Sequence, residues 1–446
     1  MKFITNTSDL SKYLAIPIKE NSVIKSISTD TRSIKKDSMF IAIRGAHFDG
    51  NDFVDEALEK GAVIILADHK RYQKKKNKKI IYVKNTISSL KKISENIIKE
   101  FKGNVIAITG SNGKTTTTNL VYKTLKNSSK TLKNFNNEIG MPLSIMNASS
   151  RSNNLVLEIG ASKFRDINYL SKILQPNVGV ITNIGHSHLE KLGNIEGVFK
   201  VKSELVDNIQ KDGFLIVPND NQDHLKKWKK LRSDIKVITF GLSSDADFYA
   251  SKIKIQESGL SFVISSKLIK KSILIKTSIE GEHNIKNILA SSAVHFCLNK
   301  DLENFANAIK TNNFNELRQI KSKWINGSTL IDDTYNANPD STKKSIDLLS
   351  NYKKNTVLVL GDMLELGRYK KKLHKEIGIY AKKKGINTIL GYGDLTKYTI
   401  EGFGKGSRFF KDEKNLKFYL KENITSKDVI LIKGSRGMKM ERFKNV

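Results

Sequence analysis

The segment Thr109-Gly110-Ser111-Asn112-Gly113-Lys114-Thr115-Thr116 carries the residue types that hold a polyphosphate. It follows an apolar run from Val105 and leads into a helical pattern, the setting a phosphate loop requires. Gly110 and Gly113 let backbone N–H groups turn toward an anion, and the helix N-terminus adds its positive dipole. Lys114 supplies a point charge, and the Thr115 hydroxyl can reach a magnesium ion. Ile108 stands where the general G-x-x-x-x-G-K-[ST] pattern begins with glycine, so the loop is a variant of that pattern. A glycine turn that merely caps a helix is the simpler alternative.

Other groups could complete a site around such a loop. Glu158 ends the apolar run Leu155-Val156-Leu157, so its carboxylate should emerge at the strand's C-terminal edge, where open α/β sheets place ligands. His186 and His188 follow the next strand, and sequence alone does not choose between them. Gly281-Glu282-His283-Asn284-Ile285-Lys286-Asn287 opens a helix with Asn284 and Asn287 one turn apart. Amides there could donate to and accept from a base while His283 stacks on it, although Asn284 could equally be an N-cap. Two further polar strings follow apolar runs: Asp332-Asp333-Thr334-Tyr335-Asn336-Ala337-Asn338-Pro339 and Ile432-Lys433-Gly434-Ser435-Arg436-Gly437. The second suits a carboxylate through Ser435, Arg436 and backbone amides. A plain strand-to-helix turn is the alternative for both.

Positioning these residues takes several α/β units. With 446 residues the chain exceeds one ordinary core, and about three domains are expected. Short β-type runs alternate with helical patterns, which predicts an α/β fold with mostly parallel strands. Residues 1–101 form a small N-terminal unit, 102–313 a central unit containing the phosphate loop, and 314–446 a second Rossmann-like α/β unit. Asp247 to Lys276 alternates like an antiparallel addition, and Asn284 to Leu298 reads as helix. Cys297 is the only cysteine, which excludes intramolecular disulfides and thiolate zinc sites. No run approaches the roughly 20 apolar residues needed to span a bilayer, so a cytoplasmic protein is expected. The net charge of +32 is nearly all lysine spread along the chain, which favours a lysine-biased composition over a nucleic-acid surface.

The T-G-x-x-G-K-T form without its leading glycine resembles the Mur ligase family, and the likeness covers almost the whole chain. Before the loop, Asp30-Thr31-Arg32 through Phe53 is similar to the uridine-nucleotide domain of these enzymes; after it, Phe135-Asn136-Asn137-Glu138-Ile139-Gly140-Met141-Pro142 resembles the member that adds D-alanyl-D-alanine. The resemblance implies ATP and magnesium, with Thr115, Glu158 and His188 as metal ligands, and Lys202 as a lysine that becomes carbamylated. It makes Lys114, Lys202 and His188 catalytic. It puts adenine against His283, Asn284 and Asn287, and brings Arg318, Asp333, Tyr335 and Asn338 onto ATP. Thr31, Arg32, Asn136, Asn137, Ser435 and Arg436 would bind the two other substrates, UDP-N-acetylmuramoyl-tripeptide and D-alanyl-D-alanine. The implied product is the pentapeptide precursor of peptidoglycan, made by a monomer without nucleic acid or membrane insertion. The alternatives are a sister ligase adding the third amino acid, a folylpolyglutamate synthase, or a noncatalytic nucleotide- or nucleic-acid-binding protein.

Overall fold

A computed structural model describes residues 2–446 except 46, 75–76, 257–258, 313 and 315–319. Val105, Ile106, Ala107 and Ile108 are all buried, because the strand Asn104–Thr109 lies inside a sheet covered on both faces. That burial explains the continuous apolar run. The strand is flanked by Asn154–Glu158 on one side and Val178–Ile181 on the other, both parallel to it. The chain therefore reverses its direction of crossover here, which opens a crevice beyond the strands' carboxyl ends.

This central sheet has nine strands. Beyond Val178–Ile181 come Phe214–Pro218, Lys236–Gly241 and Phe248–Gln256, still parallel, and then Gly259–Ser266 and Ile273–Thr277, which are antiparallel. The expected antiparallel addition is thus only partly so, since its first strand joins the sheet in parallel. The N-terminal sheet is four parallel strands, Ser26–Ser28, Ser38–Ile41, Ala62–Ala67 and Ile80–Tyr82. The C-terminal sheet has six strands and is parallel except for Ile320–Lys323 at its edge. Three mostly parallel α/β sheets match the expected fold class.

Helices cover the sheets through apolar stripes. In Thr86–Glu100, Leu90, Ile93 and Ile97 are fully buried at helical spacing, and the Asn85 side chain caps the first turn by accepting from Ser88 N. One apolar cluster runs from Leu10 and Ile97 through Leu157 to Leu360, so the three sheet units share core contacts. Arg318 lies outside the described residues. Among the described residues no helix is long and apolar enough to cross a membrane.

Candidate active site

The phosphate loop closes on its neighbours through short polar bonds. Helix Lys114–Thr124 starts directly after Gly113, whose φ of +79° is a left-handed conformation that a side chain would strain. A Cβ on Gly113 would also sit 2.5 Å from Asn287 Oδ1, so the loop and the helix His283–Cys297 meet with no room for a methyl group. Asn112 N donates to Asn183 Oδ1 at 2.9 Å, and Ser111 Oγ donates to the Gly185 carbonyl at 3.0 Å. Lys114 Nζ turns back onto the Gly110 carbonyl at 2.8 Å. That places the ammonium over the loop where a phosphate would lie.

Glu158 meets the loop at the strand end the sequence indicated. Its Oε2 accepts from Thr115 Oγ1 at 2.8 Å, and its Oε1 accepts from Asn136 Nδ2 at 2.8 Å. The residue is only 4% exposed, yet it forms no ion pair within 4 Å among the described residues. A buried carboxylate held by neutral hydrogen-bond donors suits a hard cation. The Thr115 and Glu158 oxygens together fit magnesium in company with phosphate oxygens.

Lys202 is the most telling group. It sits in helix Ile195–Ser203, 1% exposed, and burial, with a further contribution from the Lys114 charge, lowers its amine to about 7. A substantial neutral fraction near physiological pH follows. The two histidines take different partners. His186 donates its backbone N–H to Asp340 Oδ2 at 2.6 Å, and its Nδ1 lies 3.2 Å from the same carboxylate; the Asp340 hydrogen bond raises the imidazole. His188 Nδ1 approaches Glu365 Oε2 at 2.6 Å, and that contact lowers the Glu365 carboxyl. Asp340 and Glu365 come from the C-terminal unit. Sequence reasoning assigned neither, although Asp340 directly follows the polar string Asp332 to Pro339.

The C-terminal unit reaches the loop directly. Asn338 caps helix Pro339–Ser350 by accepting from Ser341 N, while its Nδ2 donates to Asn112 Oδ1 at 2.9 Å. Asp333 is buried against Lys433, with Oδ2 2.7 Å from Nζ, and also accepts from Ser345 Oγ at 2.6 Å. Ser435 Oγ accepts from Leu364 N at 2.8 Å and donates to the Ala337 carbonyl at 3.1 Å. Arg436 keeps an exposed side chain paired with Glu441.

Two openings lie at this junction. A cavity of about 1240 Å³ gathers Ser111, Asn112, Lys114, Asn136, Asn137, Glu158, both histidines, Tyr335, Asn338, Ser435 and Arg436. A small crevice beside it is lined by Gly113, Thr115, Thr116, His283, Asn284, Asn287 and Asp333. His283 is crowded by protein around its ring, and burial pushes it down to about 3, so it is neutral at physiological pH. Asn287 Nδ2 donates to Asn284 Oδ1 at 2.8 Å, which links the two amides. Thr31 and Arg32 lie apart from both openings. Thr31 is buried in the N-terminal unit, and the Arg32 guanidinium is bound to Asp30.

Comparison with known proteins shows what the chain as a whole is similar to. Three family models match: "Mur ligase family, catalytic domain" at 23–101, "Mur ligase middle domain" at 108–295, and "Mur ligase, glutamate ligase domain" at 317–436. A UDP-N-acetylmuramoyl-tripeptide–D-alanyl-D-alanine ligase of Bacillus subtilis is 34% identical, covering 99% of this chain and 97% of its own. The enzyme of that name from Buchnera aphidicola subsp. Baizongia pistaciae is 36% identical over 94% of this chain and 91% of its own. Among solved structures, MurF from Acinetobacter baumannii superposes with a TM-score of 0.87 at 26% identity, covering 99% and 98% of the two chains. MurF ligase from Thermotoga maritima in complex with ADP gives 0.80 at 28% identity, covering 94% and 96%.

Proposed function

The chain belongs to the Mur ligase family, and from that premise we propose that it is an ATP-dependent ligase joining D-alanyl-D-alanine to UDP-N-acetylmuramoyl-tripeptide. One observation carries the reading: a single cavity gathers the phosphate loop, a buried carboxylate that forms no ion pair among the described residues, and the polar strings at 335–338 and 435–437 from the far end of the chain. Residues 1–101 would hold the uridine end of the precursor through Thr31 and Arg32, 102–313 would hold ATP, and 314–446 would bring in the dipeptide.

The chemistry follows from this placement. The tripeptide carboxylate attacks the γ-phosphorus of ATP, the bond to the β-phosphate oxygen breaks, and ADP leaves an acyl phosphate. Lys114 offsets charge on the transferring group. The dipeptide amine then adds to the activated carbonyl, and the tetrahedral intermediate expels phosphate as the amide forms. Asn338 on Asn112 and Asp340 on His186 hold the C-terminal unit over the cavity, which excludes water from the acyl phosphate. Asn136 orients Glu158, and in this reading Asn137, Ser435 and Arg436, which line the cavity, meet the precursor peptide and the dipeptide carboxylate.

Magnesium, when bound, would neutralise phosphate charge, and Thr115, Glu158 and His188 are the residues to hold it. His188 is taken over His186 on the family resemblance; each imidazole has its Nδ1 beside a carboxylate of the C-terminal unit, Glu365 for His188 and Asp340 for His186, which leaves Nε2 as the nitrogen to ligate. Lys202 is read as a carbamate: its neutral amine adds to carbon dioxide, a proton leaves, and an anion replaces a buried cation. The depressed basicity of that amine supports this reading.

The test is phosphate release from ATP with the tripeptide precursor and magnesium, with and without D-alanyl-D-alanine, followed by mass analysis of the nucleotide product. A pentapeptide product that requires both substrates is expected. Turnover with a single amino acid on a dipeptide precursor would point to the sister ligase, and no turnover with any acceptor would end the reading.

A further inference from the structure

Lys344 lies in the second turn of helix Pro339–Ser350 and forms part of the wall of the crevice that also holds Gly113, Thr115, Thr116, Asn284 and Asn287. Among the described residues it makes no hydrogen bond or ion pair. Burial lowers its amine, and the Lys286 charge lowers it further.

Among the described residues, the two carboxylates whose charge reaches it, Asp220 and Asp340, and the one on the crevice wall, Asp333, are already engaged. Asp220 accepts from Lys286 Nζ at 2.8 Å and 2.9 Å. Asp340, one helical turn before Lys344, is held by His186. Asp333, on the crevice wall, is bound to Lys433 and Ser345. A largely buried ammonium with no partner is costly, so the cavity it faces is suited to an anion. The other walls of the crevice narrow the choice of anion. Gly113 to Thr116 form the amino end of the loop helix, and the linked amides of Asn284 and Asn287 stand beside them, whereas Lys114 and Ser111 open onto the larger cavity instead.

We propose that Lys344 is a nucleotide contact: from the C-terminal unit it binds the α- and β-phosphates of ATP and ADP, so that nucleotide and domain closure favour one another. The inference rests on the ligase reading for the identity of the nucleotide. Because the lysine belongs to the opposite wall from the phosphate loop, its bond exists only when the two units are together, and it adds a charge-assisted contact to the closed state alone.

The test is calorimetric titration of the full-length protein with MgATP and with MgADP, without peptide substrates. Lys344→Met should weaken both nucleotides roughly tenfold or more, the loss expected for one charge-assisted bond. Lys344→Arg should keep most of the affinity, and Lys343→Met, one residue away with its amine over the Tyr380 ring, should bind as the parent does. Lys344→Gln serves if the methionine variant does not fold. Unchanged affinity in the folded variant, an equal loss in Lys343→Met, or a loss confined to ATP would overturn the proposal. A parent protein that bound neither nucleotide would instead refute the ligase reading.

Discussion

The backbone N–H of His186 donates to Asp340 Oδ2 at 2.6 Å and joins the central unit to the first turn of a C-terminal helix. The approach is so close that a Cβ on the neighbouring Gly185 would sit 2.3 Å from the same oxygen. The two side chains keep 39% and 30% of their surface exposed, so their charge attraction is screened and contributes only ~0.2–1 kcal/mol. Asp340→Ala should therefore loosen closure and raise the KM for both ATP and dipeptide by about two- to fivefold, with a smaller change in kcat. Steady-state kinetics with small-angle scattering would check this; identical constants and an identical ATP-induced contraction would refute a closing role.

Glu158 gives a sharper prediction, because its charge rather than its shape is at stake. Glu158→Gln keeps the volume and can still accept one of the bonds from Thr115 and Asn136. Removing the anion should cut turnover by roughly 100-fold, comparable to losing one electrostatic stabiliser of a transition state. Part of the loss should be recovered at high magnesium concentration. A magnesium titration of phosphate release reads this directly, and a magnesium response identical to the parent's would rule out Glu158 as a ligand.

Much of the site was legible because local patterns and tertiary roles coincide there. A fully apolar strand leading into two glycines and a lysine has few other uses, and a carboxylate at the end of an apolar strand falls at the carboxyl edge of the sheet, where the crevice opens. Short polar strands escaped notice: Ser128–Lys130 and Ser407–Phe410 lack a buried apolar stripe, and Ile320–Lys323 is exposed along its length. The partners of His186 and His188 were hidden for another reason. Asp340 and Glu365 lie more than 150 residues away in sequence, and only the packing of one unit on another brings them near. Lys344 was hidden among 77 lysines and arginines, since only the prior engagement of Asp220, Asp333 and Asp340 makes it unusual.

Gly113 tests the contact between loop and nucleotide helix. Gly113→Ala places a side chain on a left-handed backbone, at a cost of about 1–2 kcal/mol, and drives it into Asn287. Nucleotide affinity should fall by roughly five- to thirtyfold, the loss that about 1–2 kcal/mol makes when the loop reaches its binding geometry only by taking up that strain. Adding Asn287→Ala should restore part of the lost thermal stability by removing the clash, but not the affinity. Differential scanning calorimetry and nucleotide titration of the single and double variants separate the two effects. Equal melting temperatures for both variants would mean that the clash is not felt.

Lys202 carries opposite consequences for stability and activity. Its amine titrates near 7 when folded and near 10.5 when unfolded, so between those values the unfolded chain binds more protons and stability rises with pH. The burial penalty is fully present below about 7 and gone above about 10.5. Lys202→Met removes an ionisable group from a site that resists charge, and its melting temperature at pH 6 should match or exceed that of the parent kept free of bicarbonate. Activity should nevertheless fall by roughly 100-fold or more, the size of effect that follows loss of one electrostatic stabiliser. Added bicarbonate should raise the parent's activity, most clearly below pH 7 where less of the amine is neutral, and should leave the variant unmoved. A parent indifferent to bicarbonate after thorough degassing, or a variant with full turnover, would remove the carbamate from the mechanism while leaving the phosphate loop and Glu158 in place.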